Sequence, residues 1–168
     1  MEKVVPHSLG GKIAHWGFAA VFLFALTKQL DEVEELEDFS LLQYEMAFAT
    51  FFLVLLVIRF VFMRRTRPTA MPADMPKRTR LAAQIVHMGM YIGVALIAVS
   101  GLVIGGLYWA EIKSGIMMEA ALLVHEIAVN TTYWLIAGHI AASIYHRRQG
   151  DGLWDAMVPV WKEPKSDS

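Results

Sequence analysis

The sequence predicts an all-α, integral membrane four-helix bundle with both termini cytoplasmic. Three observations lead to this prediction. Apolar residues make up 56% of the 168 residues, a fraction that soluble domains rarely reach. These residues are concentrated in four long runs, and lipid admits only helices or closed barrels as spanning structures. The runs show no alternation with a period of two, so helices are expected rather than strands.

The four helices are expected at about residues 8–30, 41–63, 81–110 and 117–146. The last three runs exceed the roughly 20 residues that a helix needs to cross a bilayer. The first run, about Ile13–Leu26, is shorter and needs Gly10–Gly11 or Lys28–Leu30 to complete its span. The polar segment before it lacks a signal-peptide pattern, so this run should remain as a helix, and residues 1–168 should form one membrane domain.

Charge in the connecting segments predicts the orientation of the bundle. The segment Lys28–Asp38 between the first two runs is almost wholly acidic, whereas Arg64–Arg67 and Lys77–Arg80 flank the connection between the second and third runs. Arg147 and Arg148 follow the fourth run. Because Lys and Arg are retained on the cytoplasmic side, the basic loop and both termini are expected inside.

Histidines within the apolar runs are the strongest functional signal. His125, His139 and His146 lie in or directly after the fourth run, at spacings of seven or fourteen residues. Fourteen helical residues rise roughly 21 Å and return to nearly the same face. Ionisable residues are costly in hydrocarbon and usually mark function. The first two histidines are therefore placed to ligate two stacked haems, one near each membrane face.

Depth predicts which histidines can meet. The first run enters from the inside and the fourth leaves there, so His15 and His139 should lie at similar depths on different helices. A haem between them would have two imidazole ligands, the usual b-type arrangement. Gly17 and Gly138 flank these ligands and would leave room for the ring. Arg59, near the inner end of the second run, is expected to pair with a haem propionate.

The outer half of the bundle offers His125 no histidine partner on the second run. Glu45 and Met46 are the only plausible donors there. Either the outer haem is missing, and His125 is a residual or proton-handling residue, or a haem binds there with unusual or five-coordinate ligation. His87, in the inner half of the third run, is expected to hydrogen-bond a propionate or to line a quinone pocket.

Two features of the composition limit the chemistry. There is no cysteine, so any haem must be held without covalent attachment, and thiolate metal sites are excluded. The formal net charge of −1 gives no electrostatic reason to expect nucleic acid as a partner. In the third run, Gly89-x-x-x-Gly93 and Gly101-x-x-x-Gly105 predict either close helix packing or space for a flat cofactor.

Several short motifs, taken in order, resemble those of the bacterial cytochrome b561 family, which is related to the cytochrome b subunits of nickel–iron hydrogenases. The motifs are His15-Trp16, Val57-Ile58-Arg59, His87-Met88-Gly89-Met90-Tyr91, Ser100-Gly101-Leu102, His125-Glu126 and Gly138-His139. The resemblance implies a four-helix bundle that carries two b haems and exchanges electrons with quinone. It implies an inner ligand pair of His15 with His139, and an outer pair drawn from the second and fourth helices. His125 matches the fourth-helix member, but Glu45 stands where the second-helix histidine is expected.

The function expected from the residues and the resemblance together is that of a b-type cytochrome in the bacterial inner membrane. It would transfer electrons between the quinone pool and an unidentified redox protein through haem b, with a second haem uncertain. One alternative is the membrane anchor subunit of a dehydrogenase or hydrogenase complex. Another is a non-redox bundle in which histidines such as His87, His139 and His146 bind protons or a metal.

Overall fold

Four long helices account for most of the molecule. A computed structural model describes residues 6–28, 32–66 and 75–163. In chain order, the elements are α1 (Leu9–Leu26), a short 3-10 helix (Val33–Glu37), α2 (Phe39–Arg65), α3 (Lys77–Trp109), α4 (Ile116–Gln149) and α5 (Leu153–Met157). The first four α-helices are long and apolar enough to cross a membrane. The described residues contain no strand, so the prediction of an all-α four-helix membrane protein is confirmed.

The helices extend beyond the apolar runs that predicted them. α3 begins at Lys77 rather than near residue 81, and α4 continues to Gln149. The apolar run marks the part of a helix that lies in hydrocarbon, whereas charged residues continue the same helix into the interface. α1 ends at Leu26. Residues 29 and 30, at the end of its predicted extension, lie outside the described residues, as does Arg67.

Side-chain caps define the starts of two helices. Ser8 Oγ accepts a hydrogen bond of 3.2 Å from the backbone N–H of Gly11 at the start of α1. At the start of α2, Asp38 accepts from the hydroxyl and backbone N–H of Ser40 and from the backbone N–H of Leu41. These bonds to its carboxylate, led by that from the Ser40 hydroxyl, hold the pKa of Asp38 below its ordinary value. A cap of this kind satisfies backbone donors that the first helical turn leaves unpaired.

α3 is the central helix of the packing. It contacts both α2 and α4, whereas α1 packs mainly against α2 and has few direct backbone contacts with α4. Successive helices run antiparallel. The end at which α1 and α3 begin, here called the basic end, carries Arg64, Arg65, Lys77, Arg78, Arg80, Arg147 and Arg148. The opposite end, here called the acidic end, carries Glu32, Glu34, Glu35, Glu37, Asp38 and Glu111. That the basic end faces the cytoplasm stays a prediction.

Two clusters of buried side chains stabilise the bundle. The cluster nearer the middle joins α1, α2 and α3 through Phe18, Phe52, Leu56 and Val94. The cluster at the acidic end joins the 3-10 helix to α2, α3 and α4 through Leu36, Leu42, Ile104, Leu107, Tyr108, Met118 and Ala121. The short 3-10 helix therefore closes the bundle at this end with its own apolar residue.

The glycines of α3 allow α4 to approach closely. A Cβ atom built on Gly93 would lie 2.2 Å from Thr132 Oγ1, and one on Gly89 would lie 3.0 Å from Leu135 Cδ1. Thr132 has no exposed surface, and its hydroxyl is buried against the α3 backbone. Along this part of α3, the small-residue motif serves helix packing, the first of its two predicted roles.

We expect Gly93→Ala to lower the free energy of unfolding by about 2 kcal/mol, because the added methyl group would have to displace the rigid side chain of Thr132. Gly106→Ala in the same helix is the matched control, since its Cβ would meet nothing within 4 Å. Unfolding of the detergent-solubilised protein followed by circular dichroism measures both. Equal stability of the two variants would contradict the close α3–α4 contact.

Candidate functional site

Three histidines from three helices meet near the basic end. The ring centroids of His15 in α1 and His139 in α4 are 6.4 Å apart, with an angle of 60° between the ring planes. The ring of His87, in α3, lies with its centroid 5.0 Å from that of His139. The structure therefore brings together the two histidines that depth had paired, and adds His87 to the same cluster.

The spacing of His15 and His139 suits two ligands on opposite sides of one metal. An imidazole nitrogen lies about 2 Å from a bound metal and about 1 Å from its own ring centre, so two such rings have centroids roughly 6 Å apart. The observed 6.4 Å agrees with that spacing, whereas the 5.0 Å between His87 and His139 is shorter than it. The residues present fit an iron porphyrin shared by α1 and α4.

The glycines beside these two histidines border space that contains no protein atoms. A Cβ atom built on Gly17 or on Gly138 would meet nothing within 4 Å. Both glycines are exposed, as are Ala141 and Ala142 in the next turn of α4. Residues one or two positions apart on a helix point to different faces, so this open surface belongs to the exposed sides of α1 and α4 rather than to the space between His15 and His139.

Arg59 of α2 contacts His15 directly. Its Nη2 lies 2.8 Å from His15 Nδ1, and its guanidinium lies over the rings of Phe18 and Tyr91 at 5.0 and 5.1 Å. Because a guanidinium only donates, Nδ1 must accept, so the proton of neutral His15 lies on Nε2. The Arg59 Nε atom is buried without a hydrogen-bond partner in the described part of the chain. Arg59 is thus a desolvated cation within the histidine cluster.

The contact between Arg59 and His15 cannot persist unchanged when His15 binds a metal through Nε2. A ligated neutral imidazole carries its proton on the other nitrogen, and Nδ1–H cannot accept from a guanidinium. Ligation therefore releases an arginine donor beside the ring. A carboxylate is the natural acceptor for that donor. The predicted pairing of Arg59 with a propionate stays a prediction, and its position beside His15 is compatible with it.

His87 is oriented by its own helix. Its Nδ1 lies 2.7 Å from the carbonyl oxygen of Ala83, one turn earlier in α3. Since a carbonyl only accepts, Nδ1 donates, and the lone pair of neutral His87 lies on Nε2. The ring is exposed on the surface of the helices. His87 thus lies at the edge of the cluster, where the roles predicted for it, at a propionate or a quinone, are both open.

His125 lies toward the acidic end, apart from the cluster, and is held by Ser100. Ser100 Oγ donates to the carbonyl oxygen of Leu96 at 2.5 Å and lies 2.9 Å from His125 Nδ1. The hydroxyl has one proton, so Nδ1–H must donate to Oγ, and the lone pair of His125 lies on Nε2. Sequence reasoning did not pair Ser100 with this histidine. The available signal was a hydroxyl within an apolar run, which by itself more often bonds only its own helix.

Protein side chains cover the glycine face of α3 next to His125. The His125 ring lies against Gly101, with its Cε1 3.6 Å from where a Cβ would stand. One turn further, a Cβ on Gly105 would lie 2.8 Å from Met46 Cγ and 3.5 Å from Leu42 Cδ1. This face contrasts with the open glycines beside His15 and His139. Of Glu45 and Met46, the two residues of α2 that could bind an outer haem, Met46 is packed against α3.

Glu45 is half-buried near the start of α2. No hydrogen bond or ion pair links it to another described residue. In the part of the chain that the structure describes, no group of three or more His, Cys, Asp or Glu side chains could hold a metal ion. The alternative of a non-redox bundle that binds a metal through His87, His139 and His146 is therefore not supported. Instead, the Nδ1 atom of His146 lies 2.5 Å from Asp151 Oδ2.

Comparison with known proteins adds one finding to this geometry. A family model described as prokaryotic cytochrome b561 matches residues 7–160, which include all four long helices and the histidine cluster. No curated protein and no solved structure gave a significant match.

Proposed function

The chain belongs to the prokaryotic cytochrome b561 family, and we propose that it holds one b-type haem between His15 of α1 and His139 of α4. Membership of this family implies a haem-binding electron-transfer protein of the membrane. We further propose that electrons pass between the quinone pool and a redox protein, in the inner membrane of a bacterium. The bound haem would supply one-electron transfer.

The 6.4 Å spacing of the two imidazole rings is the observation that carries this proposal. Two polar rings in a membrane interior need partners that repay their desolvation, and a shared metal gives each ring a strong bond.

Arg59 has two tasks in this proposal. Its guanidinium would be available to a propionate when His15 holds the metal through Nε2, and its positive charge would lower the free energy of adding an electron at the site. The second effect is Coulombic and acts over several ångströms in a medium of low dielectric constant. A paired propionate would offset part of this effect, and the two neutral imidazoles add no negative charge, so the cation should still raise the reduction potential of the site.

For the acidic half, we propose that no second haem binds. Glu45 stands where the resemblance implies a histidine, and an anionic carboxylate is a poor ligand for a low-spin iron. His125 and Met46 cover the face of Gly101 and Gly105, so protein side chains occupy the space beside these two glycines. The competing arrangement is a haem held by His125 alone or with Met46. One observation favours it: His125 donates its Nδ1 proton to Ser100, so its Nε2 carries a lone pair that could bind a metal.

We expect His15→Ala and His139→Ala each to abolish the low-spin b-type absorption of the purified protein, because each removes one of the two nitrogens that would hold the haem iron. His87→Ala is the matched control from the same cluster and should keep that absorption. Reduced-minus-oxidised spectra of the three variants measure the effect. Retention of the low-spin spectrum in both ligand variants, or its loss in His87→Ala, would contradict the ligand assignment.

The ratio of haem to polypeptide should be close to one in protein expressed with ample haem supply. A pyridine haemochrome assay combined with quantitative amino-acid analysis measures it. A ratio near two would contradict the single-haem proposal. In that case, the loss of one haem from His125→Ala, compared in parallel with Glu45→Ala and Met46→Leu, would identify the ligands of the second site.

Removal of the half-buried Arg59 cation should lower the reduction potential. We expect Arg59→Met to shift the midpoint potential down by roughly 50 mV, since one nearby positive charge then no longer favours the reduced state. Arg64→Met is the control, because Arg64 is exposed, lies over Phe60 and does not contact His15. Potentiometric titration measures both variants. An unchanged or raised potential in Arg59→Met would contradict the proposed role.

A further inference from the structure

Residues 150–163, here called the C-terminal segment, fold into a compact unit at the basic end. Gly150 and Gly152 adopt left-handed backbone conformations, with φ of 67° and 85°, and so turn the chain sharply after α4. The carboxylate of Glu163 then accepts from the backbone N–H groups of Gly152 at 2.7 Å and Trp154 at 3.0 Å. The backbone N–H of Glu163 donates to Asp155 Oδ1 at 3.0 Å. These bonds tie the two ends of the segment together around α5.

The C-terminal segment is anchored to the last turn of α4. Arg147 Nε donates to the carbonyl oxygen of Trp161 at 2.9 Å, and its guanidinium lies 5.7 Å from the Trp154 ring centre. His146 Nδ1 lies 2.5 Å from Asp151 Oδ2. The segment therefore continues α4 as a folded unit rather than as a free tail.

The same segment is bonded to the start of α1. Three donors of this region, the His7 backbone N–H, Lys12 Nζ and Trp16 Nε1, reach three successive carbonyl oxygens at the end of α5. The bonds are to Ala156 at 3.1 Å, to Asp155 at 2.9 Å and to Met157 at 3.2 Å, respectively. Carbonyl groups at the end of a helix lack partners within the helix, so they are available to donors from elsewhere. Ala156 is only 3% exposed, which places this junction in a closed contact.

This junction matters because α1 and α4 have few other links. α1 packs mainly on α2, and α4 packs on α3. His15 and His139 nevertheless have to remain at a fixed spacing across that division. Trp16, which donates to Met157, is adjacent to His15, and the centroids of their rings are 5.5 Å apart.

We propose that the C-terminal segment sets the separation of α1 and α4, and that Lys12 and Trp16 are positioning residues for the His15–His139 pair. The proposal rests on the proposed function, because the separation of His15 and His139 matters only if the two residues bind the same haem. α1, the C-terminal segment and α4 form a closed loop of contacts at the basic end, and the ligand pair lies within one to two turns of it. Small displacements of supporting groups are enough to weaken a metal site.

The test uses full-length protein and a double variant, Lys12→Met with Trp16→Phe, which removes two side-chain donors but retains their apolar bulk. The matched control is Lys77→Met with Trp134→Phe, since Lys77 is exposed at the start of α3 and Trp134 is 80% exposed on α4. We expect transfer of haem to an excess of apomyoglobin to be about tenfold faster in the double variant and unchanged in the control. The low-temperature electron paramagnetic resonance signal of the ferric protein, which depends on the angle between the imidazole planes, should also shift.

A second measurement reports the helix spacing itself. The native chain has no cysteine, so spin labels can be attached to Ile13→Cys in α1 and Ile140→Cys in α4, both of which are exposed. Pulsed dipolar spectroscopy should give a narrow distance distribution in the otherwise native chain and a broader one in the double variant. Glu163→Ala, which disrupts the C-terminal segment from within, should broaden it as well, whereas Lys12→Arg, which keeps a donor, should restore haem retention relative to Lys12→Met.

The outcomes separate this inference from the proposed function. Native haem transfer, resonance signal and distance distribution in both the double variant and Glu163→Ala would overturn the role of the C-terminal segment, even where His15→Ala and His139→Ala lose their spectrum. Absence of haem from the native protein would overturn the proposed function instead, and the distance distributions would still report whether the segment sets the helix separation.

Discussion

Polar side chains inside a bilayer have to find partners within the protein, and this constraint accounts for the arrangement near the basic end. Three imidazole rings and one guanidinium lie on four different helices, yet they converge at a similar depth. His15 meets Arg59 and approaches His139. Each of these groups would be costly if it faced lipid alone. Their convergence means that α1, α2 and α4 each turn a polar side chain toward the same point, whereas His87 of α3 lies exposed at its edge.

Much of this arrangement follows from sequence alone because hydrophobic length and histidine depth are one-dimensional properties. In antiparallel spanning helices, the position of a residue along its apolar run gives its depth in the membrane. This depth was enough to pair His15 with His139. The sequence could not reveal that Arg59 would lie on His15, or that Ser100 would orient His125. Both contacts depend on the rotation of each helix about its axis, which is set by packing against neighbouring helices. A run that is apolar on every side has little hydrophobic periodicity, so its sequence does not show which face is buried.

The ends of the helices illustrate a second limit. Charged residues at Lys77 and after residue 146 extend α3 and α4 about one turn past the apolar runs, because a helix continues wherever its backbone bonds remain favourable. The bonds of the C-terminal segment to Lys12 and Trp16 join residues more than 140 positions apart, and such pairings arise from tertiary geometry that no local motif encodes.

The unequal helix lengths have a further consequence. α1 has 18 residues, whereas α4 has 34 and therefore rises roughly 51 Å, well beyond the hydrocarbon thickness. From His139 to the first turn of α4, the axis covers roughly 35 Å. Electron tunnelling over such a gap would be far too slow for turnover. With a single redox centre at His139, a carrier that lands on the acidic surface would stay electrically isolated, so both donor and acceptor have to approach from the opposite leaflet or its aqueous face.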